Sequence, residues 1–356
     1  MVVGSGTAGC ATALTLLSRG VLDVAVVDMQ RHPRWRIGEA IPPAAGSVLR
    51  RLGVWDDFLA QGHLPSAGSC ASWGRLDLGY NDFLLDRQGK GWHLDRAEFD
   101  AMLSDTVTAR GGSVVHGLRL RDVERCEDDR YALAFGEHSP MTADFLVDAT
   151  GIAAVAARRL GVARNQIDCL AVISAVVDLE APGAVPSQAL LEACDYGWWY
   201  AAKTPRGRMI VALAVEPSEH QRFGEVGVWL PALRATGHVA RWLERGEAVV
   251  TDALRLETAL APSAILSRVV GDRWLAVGDA ASAYDPVSAQ GIVKALCDGE
   301  AAGEAIAGCL ACAGEAPLLA YQDAVFARFR DYLRLRLHLY GLERRWPDTP
   351  FWRNRL

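Results

Sequence analysis

Glycines and a carboxylate near the start of the chain have the spacing of a phosphate-binding site. The pattern G-x-G-x-x-G occupies Gly4, Gly6 and Gly9, and Asp28 ends the next apolar run. In such a pattern the first glycine permits a tight turn, the second lets the backbone approach a pyrophosphate, and the third lets a helix pack closely on a strand. Asp28 is spaced to accept hydrogen bonds from ribose hydroxyls. The spacing therefore predicts a dinucleotide site.

A strand, a helix and a second strand must position these residues. The sequence predicts a short apolar strand before Gly4, an apolar helix after the turn, and a second apolar strand that ends in Asp28. The helix N-terminus would present free N–H groups and its positive dipole end to phosphates. Only Met1, Val2 and Val3 precede Gly4, fewer residues than a typical strand has. We therefore expect the natural chain to carry a few more residues here.

A second motif lies far along the chain. An apolar strand at 274–277 leads into a glycine and an aspartate, a loop with a proline, and a helix that opens on a glycine. A carboxylate at a strand end can bind polyol hydroxyls, and a helix N-terminus can stabilise negative charge on a reduced ring. An ordinary strand–loop–helix unit with a capping aspartate fits the same segment. The residues concerned are Gly278, Asp279, Pro286, Gln290 and Gly291.

Together the two motifs resemble those of FAD-dependent monooxygenases of the para-hydroxybenzoate hydroxylase type. In this chain the second motif reads G-D-A-A-x-x-x-x-P-x-x-x-Q-G. The resemblance implies FAD as the cofactor. It implies Asp279 on the ribityl chain, Pro286 beside the isoalloxazine ring, and the Gln290-Gly291 helix end at the pyrimidine edge. Asp148 and Gly151 close another apolar strand that would back the FAD site, although a simple turn explains them too.

Three further segments resemble flavin-dependent halogenases and their relatives. Residues 38–43 are similar to their G-E-S-x-P-P segment, which adds Glu39 to the expected cofactor site. Residues 91–100 resemble the segment whose arginine contacts FAD, which implies that role for Arg96. Residues 345–352 resemble the C-terminal region of this subgroup. The resemblance thus spans nearly the whole chain.

The residues on which halogenation depends in that subgroup are partly replaced in this sequence. Halogenases need a lysine that carries the activated halogen, and of the three lysines only Lys90 lies in the matching stretch. Their G-W-x-W-x-I-P segment corresponds to residues 197–204, where Tyr200 replaces the second tryptophan and Lys203 the proline. The glutamate of tryptophan halogenases corresponds to Ser288. The sequence therefore favours a non-halogenating relative.

The leading hypothesis is an FAD-dependent monooxygenase that hydroxylates an electron-rich aromatic substrate through a flavin hydroperoxide. One branch that it resembles acts on tryptophan during tryptophylquinone maturation, so the substrate is expected to be an indole or tryptophan, free, in a peptide or on a carrier. Trp198, Trp199 and Tyr200 are candidate substrate contacts, with core packing as the alternative. A halogenase with divergent motifs, and a non-oxygenating flavin reductase or FAD-binding relative, stay open.

A general base would assist by removing a proton from the ring nitrogen or hydroxyl. His93, Lys90, Glu39 and Asp285 are the candidates. Only His93 has an ordinary pKa near neutrality. A buried structural histidine is the common alternative.

The expected fold class is α/β, with a Rossmann-like FAD domain of the glutathione-reductase type, an inserted mixed or antiparallel substrate sheet, and C-terminal helices. Hydrophobic periodicity predicts a helix and strand over 97–115, a β-meander over 118–147, a larger sheet over 168–216 and a helix pair over 221–247. The predicted FAD domain comprises 1–75, 95–165 and 255–310, and the substrate domain 76–94 and 166–254. Residues 311–356 form a C-terminal helical segment.

Composition limits the remaining function classes. A net charge of −6 gives no reason to expect nucleic acid, and no apolar run is long enough for a membrane span. The Cys309 to Cys312 pair lacks a second pair or a flanking histidine, so we expect no metal and a reducing, cytoplasmic location. Oxygen is the expected co-substrate. The electrons would come from NAD(P)H or from reduced flavin supplied by a separate reductase.

Overall fold

The computed structural model describes residues 1–31, 37–83, 86–251, 253–312 and 314–355. Its strands are β1 (Val2–Val3), β2 (Ala25–Asp28), β3 (Ala40–Ile41), β4 (Leu64–Ser66), β5 (Gly68–Ser72), β6 (Gly79–Asp82), β7 (Gly91–His93), β8 (Ser113–His116), β9 (Asp122–Arg125), β10 (Tyr131–Ala134), β11 (Met141–Ala143), β12 (Leu146–Asp148), β13 (Arg164–Leu179), β14 (Ala189–Cys194), β15 (Gly197–Thr204), β16 (Arg208–Val215), β17 (Ala248–Val249), β18 (Glu257–Leu266), β19 (Val270–Gly271), β20 (Trp274–Ala276) and β21 (Ser282–Ala283).

The α-helices are α1 (Thr7–Ser18), α2 (Ala44–Arg51), α3 (Trp55–Ala60), α4 (Arg96–Ala109), α5 (Val155–Arg159), α6 (His220–Phe223), α7 (Val226–Arg234), α8 (Val239–Arg245), α9 (Gly291–Cys312), α10 (Ala316–Leu342) and α11 (Pro350–Arg353). Two short 3-10 turns matter for the site, at Gly278–Ala280 and Pro286–Ser288. No helix in the described ranges is long and apolar enough to cross a bilayer.

A six-stranded sheet in the order β19-β20-β12-β1-β2-β8 carries the glycine motif. From β20 to β8 every neighbouring pair is parallel. The carboxyl ends of β1, β2, β12 and β20 therefore share one edge, where ligands of open α/β sheets bind. This sheet, with the meander β9-β10-β11 beside it, is the predicted Rossmann-like unit.

A nine-stranded, mainly antiparallel sheet forms the second layer of the molecule. Strands β15, β16 and the part of β13 after residue 168 are mostly apolar because both faces of the sheet are buried there. Helices α7 and α8 cover one face, through Trp229, Leu233 and Trp242. The other face packs against α10 and the C-terminal segment, through Tyr340, Phe351 and Trp352.

Helix α9 returns to the first sheet and crosses α1 at close range. A Cβ atom on Gly299 would lie 2.5 Å from the carbonyl oxygen of Ala8, and one on Gly303 would lie 2.5 Å from Thr15 Cβ. The absence of side chains at these positions lets the two helix backbones approach, so the N-termini of both helices are held near the same sheet edge.

The predicted fold class is confirmed, as are the meander, the larger sheet and the helix pair. The domain ranges stay a prediction, and three strands differ from them. Strands β5, β18 and β21, placed by sequence in the FAD ranges 1–75 and 255–310, pair with β14, β13 and β18 in the nine-stranded sheet. Pairing between strands so distant in sequence leaves no local pattern to read.

Candidate active site

The glycine motif forms a backbone turn at the carboxyl edge of the six-stranded sheet. Gly4 has a φ of 114°, and a Cβ there would lie 2.2 Å from the carbonyl oxygen of Ala149. A Cβ on Gly9 would lie 1.9 Å from the carbonyl oxygen of Gly4. Gly6 is the N-cap of α1 and no side chain caps this helix, so its first N–H groups are available to an anion.

Two predicted carboxylates end the neighbouring strands. Asp28 accepts hydrogen bonds from the Ser5 N–H at 2.7 Å, the Ser5 hydroxyl at 2.9 Å and the Gln30 N–H at 2.7 Å, so it braces the glycine turn. Asp148 is buried and accepts from the Thr150 N–H and hydroxyl at 3.0 and 2.6 Å and from the Ala157 N–H at 2.8 Å. Asp148 therefore organises the loop around Gly151.

The second motif reaches the same edge. Gly278 has a φ of 62°, and a Cβ there would lie 2.6 Å from Ala8 Cβ at the start of α1. The Asp279 side chain is 43% exposed, and Arg164 donates to the Asp279 backbone oxygen at 3.1 Å. Gly291 opens α9 with open space around its Cβ position, and Pro286 and Gln290 lie in the loop before it.

Arg96 links the glycine turn to the Gly38-Glu39 segment. Its guanidinium donates to the Gly38 oxygen at 3.0 Å and to the Asp100 carboxylate, which also accepts from the Thr7 hydroxyl at 3.0 Å. The Arg96 Nε is buried without a hydrogen-bond partner among the described residues. Orphaned buried donors are rare in proteins. This unpaired donor, the uncapped α1 N-terminus and the exposed Asp279 carboxylate fit a phosphate- and polyol-bearing cofactor such as FAD.

The Gly38-Glu39 segment contains a buried acid. Glu39 is 2% exposed, and its Oε2 accepts from the Gly38 N–H at 2.9 Å. Burial raises the pKa of the Glu39 carboxyl, an effect that the phenol of Tyr200 beside it partly offsets. Burial and the neighbouring Glu39 raise the pKa of Tyr200 well above its ordinary value. The other carboxylate oxygen of Glu39, Oε1, is buried and accepts no hydrogen bond from any described residue, so it is the free acceptor of this group.

Two of the other three candidate bases, His93 and Lys90, have different surroundings. His93 is 1% exposed in β7, and burial lowers its pKa to about 4, so the imidazole is neutral and weakly basic at pH 7. Lys90 is exposed, with its ammonium 5.3 Å from the centre of the Trp92 ring. Glu39 is thus the candidate whose burial and partner favour proton transfer.

Asp285, just before Pro286, belongs to a buried polar network. It accepts from the Val287 N–H at 2.9 Å, the Tyr340 hydroxyl at 2.9 Å and Arg336 Nε at 3.3 Å. Trp198 donates from its indole nitrogen to the Tyr340 hydroxyl at 3.2 Å. These contacts hold the Pro286 loop against the sheet, so Asp285 is saturated by the chain itself and is not a free base.

The three aromatic candidates of β15 do not share a face, because side chains alternate along a strand. Trp198 and Tyr200 lie on the face toward the Pro286 loop, where Val287 packs with Trp198. Trp199 lies on the opposite face, fully buried, with its ring 5.2 Å from that of Trp229. The expected substrate contact by Trp199 is therefore corrected to a core position under α7.

The sequence reasoning missed two basic residues beside Asp279. Lys294, in the first turn of α9, lies with its Nζ 3.7 Å from the Asp279 carboxylate and 3.2 Å from that of Asp298. Arg164 holds the Asp279 backbone from the other side. A lysine three residues after the helix-opening glycine, within an apolar helix, was the available signal for the first of these. No three His, Cys, Asp or Glu side chains group into a metal site within the described part of the chain, which excludes the side chain of Cys312.

Comparison with known proteins agrees with this geometry. LodB of Marinomonas mediterranea, named as an FAD-dependent oxidoreductase, is 28% identical over 100% of this chain and 96% of its own. A 1H-pyrrole-2-carbonyl-[peptidyl-carrier protein] brominase of Pseudoalteromonas luteoviolacea is 24% identical over 86% of this chain and 76% of its own.

Solved structures give the same result. CmlS, a flavin-dependent halogenase, superposes with a TM-score of 0.86 at 25% identity, covering 99% of this chain and 66% of that one. QhpG, a peptidyl tryptophan dihydroxylase essential for tryptophylquinone cofactor biogenesis, superposes with a TM-score of 0.80 at 26% identity, covering 99% and 77%.

The sequence profile of the FAD binding domain matches residues 1–334, which include both glycine motifs, Arg96 and Lys294. This match covers most of the chain. The chain therefore belongs to the FAD binding domain family and is a halogenase-like flavoprotein oxidoreductase.

Proposed function

We propose that this flavoprotein is a monooxygenase that hydroxylates an electron-rich aromatic ring, specifically the indole of a tryptophan held in a peptide or on a carrier. The observation that carries the proposal is the position of the lysines, because halogenation in the related enzymes depends on one of them. The chain has three, Lys90, Lys203 and Lys294, and each has a different environment.

None of these lysines lies free on the sheet face that carries Trp198 and Tyr200. Lys90 is in an exposed loop over the Trp92 ring. Lys203 donates to the backbone oxygens of Pro182 and Val185 at 3.0 and 3.1 Å. Lys294, in α9, lies between the carboxylates of Asp279 and Asp298. With no free buried ammonium on that face, hydroxylation is the better-supported reaction.

The relatives support the substrate class. QhpG is named as a dihydroxylase of peptidyl tryptophan, and the brominase of Pseudoalteromonas luteoviolacea as acting on a group attached to a carrier protein. Both substrates are electron-rich heteroaromatic rings tethered to a larger chain. We therefore expect a tethered aromatic ring rather than a free metabolite.

The cofactor would be held by the chain's own groups at the sheet edge. The α1 N-terminus and Arg96 would bind the pyrophosphate, Asp28 a ribose and Asp279 the ribityl chain, with Pro286 and the α9 N-terminus beside the ring. When bound and reduced, FAD supplies the chemistry that activates oxygen. Trp198, Val287 and the C-terminal segment shield this side of the sheet from water.

In this proposal Glu39 is the general base and Tyr200 is its neighbour. An aromatic ring attacked by electrophilic oxygen must lose a proton, and a base near the ring accelerates that loss. Glu39 is buried and its raised pKa brings it closer to the working pH of such a base. His93, with a pKa of about 4, is the weaker base and lies buried in β7, opposite Ala40 of β3.

A direct test supplies the purified, FAD-loaded protein with oxygen-18 gas and a tryptophan-containing peptide. Electrons come either from NADH or from a flavin reductase with free flavin, so that both electron sources are covered. We expect incorporation of labelled oxygen into the indole, detected by mass spectrometry, and no incorporation without reductant. Free tryptophan serves as the comparison for tethering.

Halogenation is the second candidate, since CmlS and the brominase are among the matching proteins. The same reaction is run with chloride and bromide present. A halogenated product whose formation stops in Lys90→Ala would establish the halogenase and refute hydroxylation. Turnover of the flavin without oxygen would instead favour a reductase.

A further inference from the structure

We propose that Lys294 is a positioning residue that holds the Asp279 carboxylate toward the FAD site and balances its charge when the cofactor covers it. The inference rests on the FAD site described above and is independent of which aromatic substrate is oxidised. It concerns a residue outside both glycine motifs that the sequence comparison with the monooxygenases does not identify.

The Lys294 ammonium is nearly inaccessible to solvent. Its side chain is 4% exposed, and its Nζ makes no hydrogen bond to any described residue. The groups that face it are the Asp298 carboxylate at 3.2 Å, the Asp279 carboxylate at 3.7 Å and the Tyr284 ring, whose centre is 4.9 Å away. The tip of Lys294 therefore lies between an inner and an outer acid.

These two acids differ in their other partners. Asp298 is 1% exposed and is paired by Arg328 at 2.8 Å through its second oxygen. Asp279 is 43% exposed at the sheet edge, and Lys294 is the cation paired with its carboxylate among the described residues. Asp298 thus keeps a partner if Lys294 is lost, whereas Asp279 loses the one that it has.

A cofactor seated at this edge removes water from the Asp279 side chain. An ionised carboxylate that loses water without a compensating charge or hydrogen bonds is strongly disfavoured. Lys294 supplies that charge from below, while the polyol hydroxyls of the cofactor would donate to the carboxylate from above. Because Lys294 is already fixed by burial, little side-chain freedom is lost when the cofactor binds.

The same charge affects the redox state. Reduction places negative charge on the flavin ring, and an unbalanced carboxylate nearby opposes this through its field. Removal of the ammonium should therefore weaken binding of reduced FAD more than binding of oxidised FAD. If the affinity for reduced FAD falls tenfold more than the affinity for oxidised FAD, the reduction potential of the two-electron couple becomes about 30 mV more negative.

The test is a double-mutant cycle on cofactor affinity. Apoproteins of the wild type, Lys294→Met, Asp279→Asn and the double variant are titrated with FAD, and the dissociation constants are read from flavin fluorescence. The exposed Arg334, whose side chain is 80% exposed, gives the matched cation-to-methionine control R334M. Circular dichroism and thermal melting of each apoprotein report folding, and if K294M does not fold, Lys294→Gln replaces it.

We expect K294M to weaken FAD binding at least about tenfold in the wild-type background and less than about threefold in the D279N background. We also expect the FAD potential of K294M to become more negative, which a purely structural role would not produce. An equal loss in both backgrounds, or no loss at all, overturns the inference and leaves Lys294 as a partner of Asp298 alone. Failure of the wild type itself to bind FAD would instead refute the proposed function.

Discussion

The cofactor cradle and the proposed substrate-facing side of the nine-stranded sheet, the side that carries Trp198 and Tyr200, are built by different means. The cradle consists mainly of backbone: a Cβ on Gly9 would lie 1.9 Å from a carbonyl oxygen, and one on Gly278 would lie 2.6 Å from α1. The substrate-facing side consists of side chains that arrive from separate elements, with Glu39 before β3, Tyr200 on β15 and Tyr340 on α10.

This difference determines how each region responds to change. A backbone turn excludes added atoms sterically, so substitutions at its glycines should act through fit. A side-chain site in a dry interior depends on desolvation, so its substitutions should act through proton affinity while leaving the backbone intact.

The sharpest test of the cradle is Gly9→Ala. The added methyl group cannot fit without moving the Gly4 carbonyl, so we expect a loss of FAD binding and about 3 kcal/mol of destabilisation. FAD content after purification and chemical denaturation of the apoprotein measure these two effects. Gly341→Ala in α10 is the matched control, because that position has open space and alanine favours the helix. Normal FAD content in G9A would show that the turn is not the cofactor site.

The substrate-facing side is tested by Glu39→Gln, which keeps the shape of the side chain and removes its basicity. We expect turnover to fall about 100-fold, the usual scale for loss of a general base, with FAD content unchanged. Burial raises the pKa of Glu39, so the carboxylate becomes protonated as the pH is lowered and wild-type turnover should fall. The turnover of E39Q should not show this fall at low pH.

The control for this substitution is Glu304→Gln, in a surface ion pair with Arg19. It should change neither the rate nor its pH dependence. A pH profile of E39Q that still parallels that of the wild type would assign the base to another group. Loss of FAD from E39Q would instead show that Glu39 contributes to cofactor binding.

The same contrast explains what could be predicted from sequence. The positions of Gly4, Gly9 and Asp279 were predictable because each lies in a short contiguous motif whose spacing follows from backbone geometry. The proximity of Glu39 and Tyr200 brings together residues 161 positions apart in the sequence, which no local pattern predicts. The aromatic run at 198–200 predicted a strand, but a run of three large apolar residues does not reveal which face each one occupies.

The two regions should also differ in acid sensitivity, because the buried His93 lies in β7, which pairs with β3 next to Glu39. Its pKa is about 4 in the folded chain against 6.5 when unfolded, so the unfolded state binds the proton first as the pH falls. The stabilisation from neutral His93 is complete above pH 6.5 and is lost as the pH falls toward 4.

We therefore expect the free energy of unfolding to decrease by up to about 1.4 kcal/mol per pH unit from this residue in that window. His93→Gln should reduce the slope by that amount in chemical denaturation at a series of pH values, and the exposed His338→Gln should not. His63, whose pKa burial also lowers to about 4, should leave a residual slope in H93Q. An unchanged slope in H93Q would mean that His93 is accessible to protons in the folded chain.

The smallest expected effect separates the two faces of β15. Trp199 packs against Trp229 in the core under α7, so Trp199→Phe should cost about 1 kcal/mol of stability through lost packing. Its kcat/KM should stay within about twofold of the wild type, because the side chain points away from Tyr200 and the Pro286 loop. Trp198→Phe, which removes the donor to Tyr340, is the matched substitution on the other face. Trp198 is buried as well, so its loss of packing should be similar, but kcat/KM should change. A tenfold fall in kcat/KM for W199F would contradict this assignment and show that Trp199 contributes to substrate turnover.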